Sequence, residues 1–383
     1  MKVVLPLIAA ALILSGCASS ETVPPAIIPP DTGTVIGSAD VLEAPAVAFA
    51  GGRWLTFWIG SDESGVHHDG RALEITGAAG EPVILPLPPR HPFAQTALAS
   101  AGAVHLLWLD ADDASPDANR LFTALISADL RVERGPTALS GAPTQHYAAI
   151  ERGDGGLWAV WSAGIEGSMA ARGVYLAPVD AFGRPRPAQL IADNATFPAL
   201  VRAPDGVLWL IWLEQASGAF WRARIDETGD GSTGPAEYLS SGLFMARGDR
   251  IDSIFASVDQ AGALYVVINV TRQDQSAESW VMHSRGDLWT APVRLQSPSG
   301  MALRQVRPAS GTEEPLLAGV TEDGIITFGL ERARVVEQQI AVPGAAPLRP
   351  PQIILAGDQQ MITWSMPNAE GAASLHALLT PRR

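Results

Sequence analysis

An all-β propeller, most simply of seven four-stranded blades with six or eight as alternatives, is the fold this chain predicts. Three observations predict it. A strand that usually ends in tryptophan recurs about every fifty residues: Trp54-Leu-Thr-Phe-Trp58, Val104-His-Leu-Leu-Trp108, Leu157-Trp-Ala-Val-Trp161 and Leu208-Trp-Leu-Ile-Trp212. A Gly- or Asp-containing turn precedes each copy, and a Pro-x-x-Leu segment follows most of them. Short strands repeated at this period are the mark of radial β architecture, in which no single unit can bury its own apolar faces.

Taken in order, the elements support this reading. Weaker copies of the tryptophan strand continue at Leu264-Tyr-Val-Val-Ile268, Ile325-Ile-Thr-Phe328 and Met361-Ile-Thr-Trp364. The turns before them, among them Gly51-Gly52, Asp154-Gly155-Gly156, Asp205-Gly206 and Asp323-Gly324, are hairpin signals because Gly and Asp tolerate positive φ. The fourth strand reads Pro82/Leu85, Pro136/Leu139, Pro187/Leu190 and Pro292/Leu295, with Pro235/Leu239 one residue longer. Proline suits an outer edge, where no ladder donor is needed. The units fall at roughly 43–86, 91–140, 145–191, 196–240, 251–296, 302–343 and 348–383. The last lacks a fourth strand, and residues 33–41 are positioned to supply it and close the ring. The tryptophans at alternating ladder positions are expected to pack between blades; Trp221, Trp280 and Trp289 lie outside the ladder and are better placed for the surface.

Composition agrees. Apolar residues make up 47% and charged residues 17%, and 37 Gly with 30 Pro fit many tight turns. The formal net charge of −14, with Lys2 the only lysine, opposes nucleic acid and anionic lipid as partners.

The first residues carry an address. Met1-Lys2, an apolar run from Val3 to Leu14 and Ser15-Gly16 before Cys17 form a secretory signal. Leu14-Ser-Gly-Cys17 resembles the bacterial lipobox, which implies cleavage before Cys17 and acylation of its thiol; Cys17 is the only cysteine, so no intrachain disulfide forms. Ala18-Ser19 after the cysteine, by the same resemblance, favours the outer membrane. The expected organisation is therefore a signal peptide at 1–16, a Pro-rich tether at 17–32 and a propeller at 33–383. At roughly 3 Å per residue the tether reaches about 40–50 Å from the bilayer.

The pattern of an apolar strand, Asp-Gly and an apolar strand ending in Trp, over most of 43–383, resembles the sialidase-like propellers. His283-Ser-Arg-Gly-Asp-Leu-Trp289 is similar to a degenerate Asp-box in which only Ser284 and the tryptophan match and the order of Gly286 and Asp287 is inverted. The resemblance implies an arginine clamp for a carboxylate, a Tyr–Glu pair and an acidic Asp. The family's early Arg-Ile-Pro motif is absent, however, and the first inner strand begins Glu43-Ala-Pro. Of four tyrosines, Tyr265 and Tyr238 fall in strand positions, which leaves Tyr147 and Tyr175, without a glutamate partner evident in sequence.

Up-and-down blades place the loops after their second and fourth strands on one face. The former are acidic, including Asp62, Glu63, Asp69, Asp110, Asp112, Asp113, Asp117, Glu166, Glu214, Asp274 and Glu278. The latter hold Arg90, Arg247, Arg250, Arg304, Arg307 and Arg349, an anion-site candidate because guanidinium forks match carboxylate and phosphate. Asp226, Asp230 and Glu237, with Gly231 between them, have calcium-loop spacing without the flanking helices. His67-His68-Asp69 lacks a third ligand for a transition metal. No nucleophile elbow, phosphate-cradling loop or HExxH is present. The expected function is thus a lipid-anchored, non-enzymatic propeller that engages an envelope protein or glycan, with a sialidase-like glycosidase acting on acidic glycans as the alternative. Mass spectrometry of the mature protein is expected to find its N-terminus at an acylated Cys17; an unmodified Cys17 or a retained Met1 contradicts the address.

Overall fold

The computed structural model describes residues 33–39, 43–74, 78–88, 90–112, 115–141, 143–164, 173–229, 231–241, 245–246, 248–259, 261–285, 288–309, 316–368 and 372–381. The predicted signal, Cys17 and the tether lie outside them. Alternating apolar residues between Gly- and Asp-bearing turns form antiparallel strands throughout, and these make seven sheets.

The closing strand β1 (Thr34–Ala39) comes first. Blade 1 contains β2 (Ala46–Ala50), β3 (Arg53–Asp62), β4 (Gly65–Leu73) and β5 (Val83–Leu85). Blade 2 contains β6 (Phe93–Ser100), β7 (Ala103–Asp112), β8 (Ser115–Ser127) and β9 (Val132–Ala138). Blade 3 contains β10 (Thr144–Glu151), β11 (Leu157–Ala163), β12 (Gly173–Val179) and β13 (Gln189–Asp193). Blade 4 contains β14 (Ala195–Arg202), β15 (Leu208–Glu214), β16 (Ala219–Ile225) and β17 (Glu237–Ser241). In blade 5, β18 (Arg250–Val258), β19 (Leu264–Thr271) and β20 (Ala277–Arg285) are followed by a fourth strand split into β21 (Leu288–Trp289) and β22 (Val293–Arg294), both paired with β20. Blade 6 contains β23 (Arg304–Pro308), β24 (Leu316–Thr321), β25 (Gly324–Glu331) and β26 (Arg334–Pro343). Blade 7 contains β27 (Gln352–Ala356), β28 (Gln359–Pro367) and β29 (Ala373–Pro381), completed by β1.

The predicted seven-bladed ring and its closure are both present. β1 pairs antiparallel with β29, from Thr34 opposite Ala377 to Ala39 opposite Ala373. Gly37 lets this strand lie against Trp58, because a Cβ there would stand 2.9 Å from the indole ring.

The core is a ring as well. Seven apolar clusters among the described residues each join two neighbouring blades, and the cluster holding Ile36, Trp54, Trp58 and Leu375 joins the last blade to the first. The ladder tryptophans fill these seams: Trp54, Trp108, Trp158 and Trp364 are fully buried. Trp158 and Trp161, three apart on one strand, point into opposite seams. A ring of this size removes about 150–250 Å² from water, an upper bound of about 4–6 kcal/mol at roughly 25 cal/mol per Å². The three tryptophans outside the ladder are half-buried: Trp221 meets Tyr238 edge-on, Trp280 lies under Arg272, and Trp289 packs against the seam between blades 4 and 5.

Closure predicts a contrast within β1. Ile36→Ala, at a fully buried position, is expected to cost about 2–4 kcal/mol in urea denaturation. Val35→Ala, at a position 59% exposed, should change stability by less than about 0.5 kcal/mol. Equal effects at the two positions contradict closure through this strand.

Candidate functional site

The starts of the inner strands gather on one face, and most of them are irregular. The register shifts between Phe93 and Thr96 on β6, Thr144 and His146 on β10, Thr196 and Ala199 on β14, Ile251 and Ser253 on β18, and Arg304 and Arg307 on β23. Within these bulges Ala94, Phe197 and Gln305 hold φ of 54°, 49° and 54°. Left-handed backbone costs a non-glycine residue about 1–2 kcal/mol, so the surrounding structure must enforce it. A bulge re-aims the side chains that follow it. Here those residues include Thr96, Tyr147 and Arg307, which line a cavity of about 220 Å³ in the central channel together with Phe255, Glu151 and Arg202.

Residues of blades 2, 3, 5, 6 and 7 and the segment before β2 are linked around this cavity. Ala44 and Pro45 are fastened to blade 7, their carbonyls accepting from Gln352 Nε2 at 3.2 Å and Thr363 Oγ1 at 2.7 Å. This holds Glu43 over the mouth, where its Oε2 accepts the Ala94 amide at 2.7 Å. The Ala94 carbonyl in turn accepts the Tyr147 hydroxyl, which also reaches the Leu107 carbonyl at 3.3 Å. One strained residue therefore ties Glu43 and Tyr147 together. The Arg307 guanidinium lies 5.3 Å from the centre of the Phe255 ring and makes no ion pair among the described residues. His146 stacks on Phe197 at 3.8 Å on the other side of β10.

The charges are displaced from their ordinary behaviour by this enclosure. Burial pushes the Glu43 carboxyl up, against the opposing pull of the Ala94 amide and the Arg349 and Arg307 charges. Burial likewise pushes the Tyr147 hydroxyl up and the Arg307 guanidinium down, the latter opposed by Tyr147 and Glu43. All three keep some exposed surface, as channel-lining groups do, so water still reaches them. At the lower end Arg202 bonds the Glu151 carbonyl at 2.9 Å and pairs with Glu227, which also accepts Trp158 Nε1 at 3.0 Å.

The sequence-predicted arginines separate into groups. Arg307 lines the cavity, and Arg349 acts on Glu43 from the segment before β27. Arg304 is half-buried at the start of β23. Arg250 is exposed and pairs with Asp252 at 2.9 Å, and Arg90 is exposed on the rim with its amide bonded to Asp110. Arg247 lies outside the described residues. Much of the acidic rim is internally satisfied: Asp110 takes the Arg90 and His91 amides, and Asp249 and Glu278 share Arg272.

Of the calcium-loop residues, Asp230 lies outside the described residues, Asp226 binds the Thr228 amide and hydroxyl, and Glu237 pairs with Arg222 at 2.7 Å. Gly231, which gave the motif its glycine, has φ of 89° and lies against the Trp158 ring, where a Cβ would come within 2.5 Å. No cluster of three or more His, Cys, Asp or Glu able to hold a metal occurs among the described residues. His67 faces Asp69 at 3.2 Å, and the fully buried His68 bonds Gln95 at 2.6 Å.

Sequence reasoning passed over Glu43 and His146 as site residues and left Tyr147 as a tyrosine without a glutamate partner. No glutamate partner for Tyr147 was legible in sequence; the structure brings Glu43, about a hundred residues away, to the same residue, Ala94, with Glu43 on its amide and Tyr147 on its carbonyl. The one signal pointing to it was the substitution of Glu43-Ala-Pro for an arginine motif at the first inner strand.

No family model and no curated protein matches the chain. Solved structures do. The polysaccharide lyase Uly1 superposes with a TM-score of 0.59 at 10% identity, covering 90% of both chains. A polysaccharide lyase of family PL25, an ulvan lyase bound to a GlcA(1-4)Rha3S unit, gives 0.55 at 9% identity, covering 91% of this chain and 96% of its own. The α-L-arabinofuranosidase Arb93A from Fusarium graminearum gives 0.52 at 11% identity, covering 78% and 95%. These likenesses establish the shared propeller fold, and the proteins named are glycan-active enzymes.

The histidines give a pH prediction. Burial lowers His68 and His146 to about 4. A depressed histidine favours the folded state fully above its unfolded value near 6.5, and that contribution is lost as the pH falls toward 4. Urea midpoints should therefore drop between about pH 6.5 and about pH 4. His146→Phe, which keeps a ring against Phe197, should flatten part of the drop; an unchanged slope contradicts a neutral buried imidazole there.

Proposed function

We propose that this chain is a glycan-engaging propeller that captures an acidic sugar at the mouth of its central channel, with Arg307 as the anchoring cation. The single observation that carries this reading is the Arg307 guanidinium: it lies on the cavity wall, backed by Phe255, with no carboxylate in ion-pair range among the described residues. A guanidinium in a cavity wall with no ion-pair partner among the described residues favours an anion, and its planar fork matches a carboxylate in two hydrogen bonds. A cavity of about 220 Å³ with aromatic and hydroxyl-bearing walls is of the size for one sugar ring and offers both stacking and polar contacts. The glycan-active propellers of similar fold support the substrate class. In the same proposal Cys17 anchors the propeller to the outer membrane through its tether, where envelope polysaccharide is within reach.

A second reading, cleavage of the bound glycan, is favoured by Glu43. A carboxyl raised by burial beside a tyrosine and an arginine has the character of a general acid, which must hold its proton near the working pH. A panel of fluorogenic glycosides and acidic polysaccharides, scored for released fluorophore and for unsaturated product, separates the readings: turnover abolished by Glu43→Gln selects cleavage.

For binding, isothermal titration with short galacturonate oligomers is expected to show saturable affinity that Arg307→Ala weakens by about thirty- to a hundred-and-fifty-fold, the loss of a charge-assisted pair of about 2–3 kcal/mol. Arg307→Lys should recover only part of it, and matched neutral oligomers should bind weakly. Equal affinity of wild type and Arg307→Ala contradicts the proposal.

A further inference from the structure

Arg307 is not alone in the channel cavity in lacking an ion-pair partner among the described residues. Glu151 lines the same cavity, and its carboxyl makes no hydrogen bond or ion pair among them either. Arg202, the cation whose charge acts on it, already has its fork engaged on the Glu227 carboxylate and on the Glu151 backbone carbonyl. Burial therefore pushes the Glu151 carboxyl up, with Arg202 opposing. A carboxyl enclosed in a wall without a bonded counter-charge favours an incoming cation, for the reason that Arg307 favours an anion. The cavity thus offers one open charge of each sign.

The strands fix how far apart the two charges stand. Tyr147 and Glu151 are four positions apart on β10 and so share a face, and Ala149 between them leaves room in front of the strand. Glu151 lies opposite Leu157 at the lower end of β10, as Val258 lies opposite Leu264 at the lower end of β18. The Arg307 guanidinium rests on Phe255, three positions above Val258. At roughly 3.3 Å per residue, the cation and the Glu151 position are separated by about 10 Å along the channel. The wall between them is apolar or small, formed by Phe255, Ala149, Ala199 and Ala256. Two charge-assisted contacts of about 3 Å each, with one sugar ring between them, fill that length.

Resting on the acidic-sugar reading above, we propose that the channel selects a zwitterionic sugar, a uronate with a free amine on the same ring, its carboxylate on Arg307 and its ammonium on Glu151. An aminouronate carries these two groups across the ring from each other, so a single ring meets both ends of the cavity while its faces lie against Phe255 and Tyr147. An ammonium has three donors and no acceptor, which suits a carboxylate that has no donor of its own. Specificity follows from the pairing. N-acetylation removes the ammonium charge and leaves Glu151 enclosed without a cation, and a plain uronate puts only a hydroxyl there. Both lose one charge-assisted contact and keep the other.

The test is isothermal titration of the full-length protein, at about pH 7, with the methyl glycosides of galacturonate, galactosaminuronate and N-acetylgalactosaminuronate. Wild type is expected to bind the free-amine sugar about tenfold or more tightly than either of the others. Glu151→Gln is expected to abolish that preference and to leave galacturonate affinity close to wild type, whereas Arg307→Ala weakens all three. Equal affinity of wild type for galacturonate and galactosaminuronate overturns the inference while leaving the acidic-sugar reading intact, and this comparison does not depend on any variant folding. A preference that survives in Glu151→Gln also overturns it, because the ammonium is then held elsewhere. Glu151→Gln weakening galacturonate as much as galactosaminuronate overturns it too, since Glu151 then serves the sugar hydroxyls. Absence of wild-type binding to all three sugars overturns the acidic-sugar reading and this inference with it.

Discussion

The pairing of β1 with β29 is the constraint on which the rest depends. A propeller blade buries its two faces against its neighbours, so a ring lacking one seam exposes two apolar faces and a bare sheet edge. Here the last seam is sealed by the strand nearest the N-terminus, and the cluster around Ile36, Trp54 and Trp58 joins blade 7 to blade 1. The same junction sets the chemistry of the channel. Only because Ala44 and Pro45 are held on Gln352 and Thr363 does Glu43 reach across to Ala94 of blade 2. Closure of the ring and placement of the carboxylate at its mouth are thus one structural event.

Against that continuous ring of buried seams, the channel mouth is where local rules are broken. Bulges at the starts of β6, β10, β14, β18 and β23, with three non-glycine residues at positive φ among them, are costly choices for a scaffold that needs only regular strands. The tightly packed tryptophan seams supply the stability that tolerates this strain. What the strain yields is convergence: Tyr147, Arg307 and Glu43, from three distant parts of the chain, act on one another across a water-reachable cavity. At the lower end Arg202 is by contrast paired with the Glu227 carboxylate and bonded to the Glu151 backbone carbonyl.

Much of the fold was legible in the sequence because it rests on short-range patterns. The tryptophan period, the Gly/Asp turns and the Pro-x-x-Leu edges gave seven units whose limits agree with the blades, and the missing fourth strand of the last unit pointed to residues 33–41 as its closure. The site was less legible. Of the arginines singled out by loop position Arg307 lines the cavity, whereas Arg349, Arg90 and Arg250, chosen by the same argument, lie exposed, the last two with acidic partners. Bulges decide this, and they leave little trace in a single sequence when Ala94 and Gln305, rather than glycine, adopt positive φ. At the calcium-like spacing of 226–237, Gly231 has a packing role of its own, lying against the Trp158 ring of the neighbouring blade.

The central claim, that an acidic sugar seats on Arg307 at the channel mouth, is tested most directly by a crystal structure of the protein soaked with a galacturonate oligomer. The account predicts a sugar ring in the cavity between Tyr147 and Phe255, its carboxylate within hydrogen-bond distance of the Arg307 guanidinium. A ligand bound on the outer blade edges or at the Arg202 end, with the mouth unchanged, contradicts it.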